Sequence, residues 1–192
     1  MKHTRLFLLA SLLVAVIYAS GAALAGVPNI ELITALAFVS GYLLGPGLGA
    51  LVGAAGMGAH SLFNPLGAVA PPVWVSQMAA FALIGWAGGV WGPKIARMRI
   101  PRAAVVSAML GVLLVLIYQI AVNVVAFYTF TSDVDVWVYV WGGIAFGVVQ
   151  LTWNAVVFGV AVPPMLRVLA RHRRQMHGQA ATVPPVDAGH KR

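Results

Sequence analysis

A few polar side chains lie inside long apolar stretches of this chain, and their types suit binding rather than bond-making. Asn29, Glu31, His60, Asn64, Gln77, Asn123 and Asn154 offer hydrogen-bond donors and acceptors. Tyr128, Trp137 and Trp141 offer aromatic faces. Carboxamides, a carboxylate, an imidazole and flat rings can hold a small molecule by hydrogen bonding and stacking. Covalent catalysis is poorly served. The chain has no cysteine, so thiolates, disulfides and cysteine metal sites are excluded. No Gly-x-Ser-x-Gly or Gly-x-Ser-Gly nucleophile appears, and a serine hydrolase needs a base beside its nucleophile. The expectation is a binding protein with no catalytic residue, no resident metal and no cofactor.

These residues must be positioned by elements that live in lipid. Of 192 residues, 61% are hydrophobic and 8% are charged, against roughly 25% charged in a soluble domain. Mean hydropathy is +0.92. A soluble enzyme, a disordered chain and a secreted disulfide scaffold are excluded on composition. At about 20 apolar residues per crossing, the chain has room for six helices and no separate soluble domain. The apolar segments are 6–25, 32–44, 48–63, 73–90, 103–127 and 138–165, with proline and glycine at the joints. The predicted fold is all-α and integral to a membrane, with six transmembrane helices in residues 1–170. Residues 171–192 are expected to form a disordered basic tail.

Charge placement orients this bundle. The twelve Lys and Arg residues fall before segment one, between segments four and five, and after segment six. With six crossings they all lie on one side, which the positive-inside rule makes the cytoplasm. Both termini are then cytoplasmic, in a multi-pass protein of a bacterial cytoplasmic membrane. The net charge of +8 follows from that topology, so no nucleic-acid partner is expected. The tail arginines are suited to anionic lipid headgroups of the bilayer. One alternative stays open for segment one: Ala23-Leu24-Ala25-Gly26 resembles a signal-peptide cleavage site.

Followed by depth, the polar residues are unevenly spread. Asn29, Glu31, His60, Ser61, Asn64, Ser76, Gln77, Gln119, Asn123 and Tyr128 sit toward the outer ends of their segments, and Gln150 and Asn154 at mid-depth. The inner halves are different. Residues 48–55 and 155–164 carry no hydrogen-bonding side chain, and segment four inward of Ala82 offers only the indoles of Trp86 and Trp91. A polar group at membrane depth is costly unless it faces a cavity or a partner. The pattern describes a cup open to the outside with an apolar floor. Such a cup binds a molecule but has no path to pass it on. The competing reading is interhelical hydrogen bonding and an interfacial aromatic belt.

Glu31, Asp133 and Asp135 lie on the outer side with no basic residue to balance them. An anionic ligand is normally met by Arg or Lys. A neutral or cationic small molecule is therefore expected, with the aromatic residues available for stacking. Two small-residue faces complete the inventory. Ser11, Ala15, Ala19 and Ala23 are spaced by four on segment one, as are Gly49 and Gly53 on segment three, with Gly56 beyond. Both are close-packing faces, either within the bundle or toward a partner.

Taken together, the chain resembles a substrate-binding S component of an energy-coupling factor (ECF) transporter. The features that carry the resemblance are Ala15-x-x-x-Ala19, Pro28-Asn29-Ile30-Glu31-Leu32-Ile33-Thr34, Gly45-Pro46-Gly47-Leu48-Gly49-Ala50-Leu51-Val52-Gly53 and Ser61-Leu62-Phe63-Asn64-Pro65-Leu66-Gly67. Each is weak alone; their order on a six-helix chain is more specific. The resemblance implies a vitamin-like small-molecule ligand held near the outer face under the loop between segments one and two. It also implies a transmembrane coupling protein and two ATPase subunits as partners, with Ala15, Ala19 and Ala23 on the docking face. Thiamine-like, cobalamin-like and other ring compounds remain open as ligands.

The rival readings are distinct. His60-x-x-x-Asn64 resembles an oxyanion-hole element of rhomboid proteases, without their nucleophile. Asn64-Pro65 resembles part of the water-channel motif, but Leu66 follows and there is no second copy. A non-transporting membrane scaffold is the main alternative. An intramembrane metal-binding protein, using Glu31, His60 and the two aspartates, is a lesser one.

Overall fold

A computed structural model of the chain describes residues 2–130 and 133–178, and the side chains of 4–130 and 133–170. The described residues form eight α-helices and no strand: α1 Lys2–Leu24, α2 Ile33–Leu44, α3 Pro46–Leu62, α4 Pro71–Ala96, α5 Ile100–Phe130, α6 Val136–Phe146, α7 Val148–Val160 and α8 Val162–Gly178. Four stretches are long and apolar enough to cross a membrane: Thr4–Leu24, Pro71–Ala96, Ile100–Phe130 and Val148–Ala170. These are the dimensions and composition of a helical membrane protein.

The shorter elements have clear causes. Gly45 sits at φ +87°, a backbone region open to glycine, and Pro46 opens α3 at once. The chain therefore reverses between α2 and α3 with no loop. α2 has 12 residues, about 18 Å at ~1.5 Å per residue, well short of a bilayer core of about 30 Å. Eleven of its residues are buried, so protein surrounds α2 and satisfies it at depth.

Expected segment six, 138–165, is not one helix. It is interrupted at Gly147 and at Ala161. Pro163 and Pro164 explain the second break, because neither has an N–H to continue the hydrogen-bond ladder. α8 continues through Gly178, past the boundary expected at residue 170. The rest of the expected tail, 179–192, lies outside the described residues.

Glycine sets how closely the central helices meet. A methyl group added to Gly41 would collide with the Gly85 carbonyl. One on Gly88 would strike the Phe38 carbonyl, and one on Gly53 the Phe81 carbonyl. α2, α3 and α4 thus touch backbone to backbone, the approach that small residues permit in membranes. The glycine face of α3 is spent inside the bundle, and Gly56 meets Ile17 of α1. Below and beside this contact, Phe38 meets Phe158 edge to face at 5.4 Å.

Neighbour pairs give the helix directions. Ile17 and Gly21 of α1 meet Gly56 and His60 of α3, so these two run parallel. Gly49 and Gly53 meet Gly85 and Phe81, so α3 and α4 run antiparallel. Asn123, Gln119 and Gly111 of α5 meet Gly143, Gly147 and Phe158 in turn, so α5 opposes α6 and α7. At one end the Arg167 guanidinium donates to the Met98 carbonyl. That end gathers the exposed side chains of Arg5, Lys94, Arg97, Arg99, Arg102 and Arg167.

Candidate functional site

At the opposite end lies a cavity of about 280 Å³. It forms where the C-terminal ends of α1 and α3 meet the N-terminal ends of α2 and α4, under the 25–32 connection. Its wall includes Asn29, Glu31, His60, Asn64 and Gln77, all named from the sequence, together with Ser61, Tyr118 and Gln150. Leu24, Val27, Ile30, Met57 and Val69 supply apolar wall. Among the described residues no Lys or Arg lines it.

Glu31 is the most heavily engaged of these groups. It is 9% exposed. Its Oε2 accepts the Thr34 backbone N–H at 2.9 Å, and its Oε1 accepts the Thr34 hydroxyl at 2.7 Å. The carboxylate thereby satisfies a free N–H at the start of α2, where the helix dipole favours negative charge. The Asn154 carboxamide of α7 donates to the same Oε1 at 2.6 Å. The Trp153 indole N–H donates to the Glu31 carbonyl, also at 2.6 Å. One short segment therefore ties α2 to α7. Nearby, Asn29 takes a positive φ of 63°, which asparagine tolerates, and its side chain donates to the Phe146 carbonyl at 3.2 Å.

A second network lines the α3–α4 side. Ser61 Oγ donates to Gln77 Oε1 at 2.7 Å, and Gln77 Nε2 reaches the Tyr118 hydroxyl at 3.4 Å. The Trp74 indole donates to the Gly58 carbonyl at 2.9 Å, bracing the start of α4 on α3. His60 packs its ring on Gly21, where a methyl would collide with it. Its Nδ1 is buried without a hydrogen-bond partner. Asn64 Oδ1 accepts the Leu66 N–H at 2.8 Å and shapes the turn beyond α3.

The remaining residues named from the sequence lie elsewhere. Asn154 is fully buried behind Glu31 rather than on the cavity surface. Asn123 donates to the Gln119 carbonyl at 2.8 Å and lies against Gly143. Tyr128, Trp137 and Trp141 are 75%, 63% and 67% exposed, facing away from the bundle. Ala15, Ala19 and Ala23 are exposed on the outer face of α1, whose inward face is Ile17 and Gly21. Asp135 caps α6 by accepting the Trp137 and Val138 N–H groups. Among the described residues no group of three or more His, Cys, Asp or Glu comes together to hold a metal.

Tyr118 and Trp153 are not among the residues named from the sequence, and Thr34 entered only as the last residue of the motif at 28–34. Trp153 precedes Asn154 and Tyr118 precedes Gln119. Adjacent residues on a helix face about 100° apart, so a polar patch seen edge-on recruits such neighbours. Gln119 Nε2 donates to Gln150 Oε1 at 3.2 Å and to the Gly147 carbonyl at 3.0 Å. That bond holds Gln150 at the cavity edge where the α6–α7 ladder is broken.

Comparison with protein-family models, with curated proteins and with solved structures finds no match to this chain. The functional reading therefore rests on the geometry.

Proposed function

We propose that this chain is the substrate-capture subunit of an ATP-driven ECF-type importer of a vitamin or other micronutrient. In this reading the helices make six crossings of a bacterial cytoplasmic membrane, with α2 and α3 as the short pair. The basic end and both termini face the cytoplasm, in line with the positive-inside rule. The cavity faces outward and takes a neutral or cationic small molecule.

The observation that carries this reading is the cavity at the end of the bundle opposite the basic residues. Beneath it α2, α3 and α4 meet backbone to backbone, and Phe38, Phe81 and Phe158 are buried. That floor leaves a bound molecule no route onward. Import then needs a partner that moves the subunit and supplies energy, here a transmembrane coupling protein with two ATPase subunits. The outward-facing Ala15, Ala19 and Ala23 of α1 suit a close helix–helix contact with that coupling protein.

The test is to extract the protein in mild detergent and identify copurifying small molecules by mass spectrometry. The same molecule is then followed into cells with and without the coupling module. Stoichiometric copurification and module-dependent uptake are expected. A protein that carries no ligand and whose loss leaves uptake unchanged, but whose loss disperses a membrane complex, is a scaffold instead.

A further inference from the structure

The charge and size of the cavity narrow the ligand beyond a neutral or cationic small molecule. Glu31 brings a nearly buried carboxylate to the wall, and every group that hydrogen-bonds it is neutral: the Thr34 N–H, the Thr34 hydroxyl and the Asn154 carboxamide. A carboxylate offers about four acceptor positions. Oε1 takes two of these bonds and Oε2 one, so Oε2 keeps a free lone pair. A buried charge without an opposite charge is costly; among the described residues no Lys or Arg lines this cavity, and its one imidazole is that of His60. The described Lys and Arg side chains gather at the far end of the bundle.

Donors line both sides of the wall: His60, Asn64 and Gln77 on the α3–α4 side, and two more groups on the α5–α7 side. The Tyr118 hydroxyl accepts from Gln77 and keeps its own hydrogen to give. Gln150 uses its carbonyl oxygen on Gln119 and keeps its amide hydrogens. The volume of about 280 Å³ sits at the lower edge of the roughly 300–1,000 Å³ spanned by small-molecule pockets. That space suits a molecule of one or two rings better than a macrocycle.

We propose that the cavity selects a small organic cation of one or two rings, with its positive nitrogen on the Glu31 carboxylate and an acceptor on Tyr118 and Gln150. The proposal rests on the reading of this cavity as the capture site and names the class of molecule captured. Glu31 acts here as the counter-charge as well as the cap of α2.

A charge series on one scaffold tests it. N1-methylnicotinamide, nicotinamide and nicotinate share a ring and differ in charge: cationic, neutral and anionic. Binding of each to the detergent-solubilised full chain is measured by calorimetry or by thermal stabilisation. The cation is expected to bind at least tenfold more tightly than the neutral amide, and the anion more weakly than either. In Glu31→Gln the cation preference is expected to fall to about one. Nicotinate binding as tightly as the cation, no charge dependence in the natural chain, or no binding of the cation overturns the proposal without reference to any variant. Uptake separates this proposal from the importer reading. Cation-selective binding without module-dependent uptake leaves the ligand class standing and removes the importer. Module-dependent uptake of an anion does the reverse.

Discussion

The Asn154 carboxamide donates to Glu31 Oε1 at 2.6 Å, joining residues 123 positions apart in the chain. This bond joins the two halves of the bundle behind the cavity wall. On one side are α1 to α4, which supply most of the wall. On the other is the α5–α7 pair, which supplies Tyr118 and Gln150. Asn154 also donates to the Gln150 carbonyl one turn back in α7, at 3.1 Å, which fixes the side chain on its own helix while it holds the acid.

Removing that bond has a calculable cost. Asn154→Leu leaves a buried carboxylate short of a donor, a loss of about 1–3 kcal/mol. Thermal unfolding in detergent is the measurement, and a clear fall in midpoint is expected. Trp141→Leu, at a residue exposed on the outside of α6, serves as the control and is expected to leave the midpoint nearly unchanged. Equal midpoints for both variants would show that Glu31 does not depend on α7.

The backbone contacts of the central helices predict a sharp contrast among glycines. Gly41→Val places side-chain atoms where the Gly85 carbonyl already lies. Overpacking of this kind costs about 1–3 kcal/mol or more, and loss of a monodisperse peak on size exclusion is expected. Nothing lies within 4 Å of a methyl on Gly142, so Gly142→Ala is expected to behave as the natural chain does. Tolerance of valine at position 41 would mean that α2 and α4 sit further apart.

The Ser61–Gln77–Tyr118 chain bears on ligand affinity. Gln77→Leu removes the group that Ser61 and Tyr118 share in the cavity wall, leaving Ser61 only the Met57 carbonyl. A weakening of about tenfold, equal to 1.4 kcal/mol, is expected for the copurifying ligand by calorimetry. Unaltered affinity would place the ligand away from α4.

Docking and binding are expected to separate. Ala15→Leu combined with Ala19→Leu adds bulk to an exposed face of α1 and touches nothing that lines the cavity. Ligand affinity is expected to stay within about twofold, a few tenths of a kcal/mol, while uptake with the coupling module falls to background. If affinity drops and copurification with the coupling protein survives, this face packs within the bundle.

Level along the bundle was legible in the sequence, and direction around a helix was not. Asn29, Glu31, His60, Asn64 and Gln77 meet at one cavity because the alternating helix directions bring the start of α2, the end of α3 and the start of α4 to the same end of the bundle. Asn123 lies at a similar level on α5 yet turns to the Gln119 carbonyl and Gly143. Tyr128, Trp137 and Trp141 lie at that end too, and they face outward. Which side of a helix faces the bundle depends on its neighbours, and low amphipathicity in apolar helices leaves no hydropathy signal for it. Hydropathy and the Gly45-Pro46-Gly47 break likewise located the short α2, expected at 32–44 and found at Ile33–Leu44, but not the interruptions of segment six at Gly147 and Ala161. α2 stops after twelve residues because the glycine at position 45 turns the chain before a full crossing is reached. The glycines of α3 read equally well as an internal or an external face. Only their contacts with Gly41, Phe81 and Gly85 assign them to the interior.

The central claim is that the cavity opens on the side of the membrane opposite the basic residues, so that cargo is captured outside. The chain contains no cysteine, which makes thiol labelling clean. Val69→Cys puts a thiol on the cavity wall, and Arg97→Cys puts one at the exposed basic end. Each is treated with a membrane-impermeant maleimide in intact cells and again after lysis. Labelling of position 69 in intact cells, blocked by the copurifying ligand, and labelling of position 97 only after lysis are expected. Labelling of position 97 in intact cells, with position 69 protected until lysis, would contradict the account.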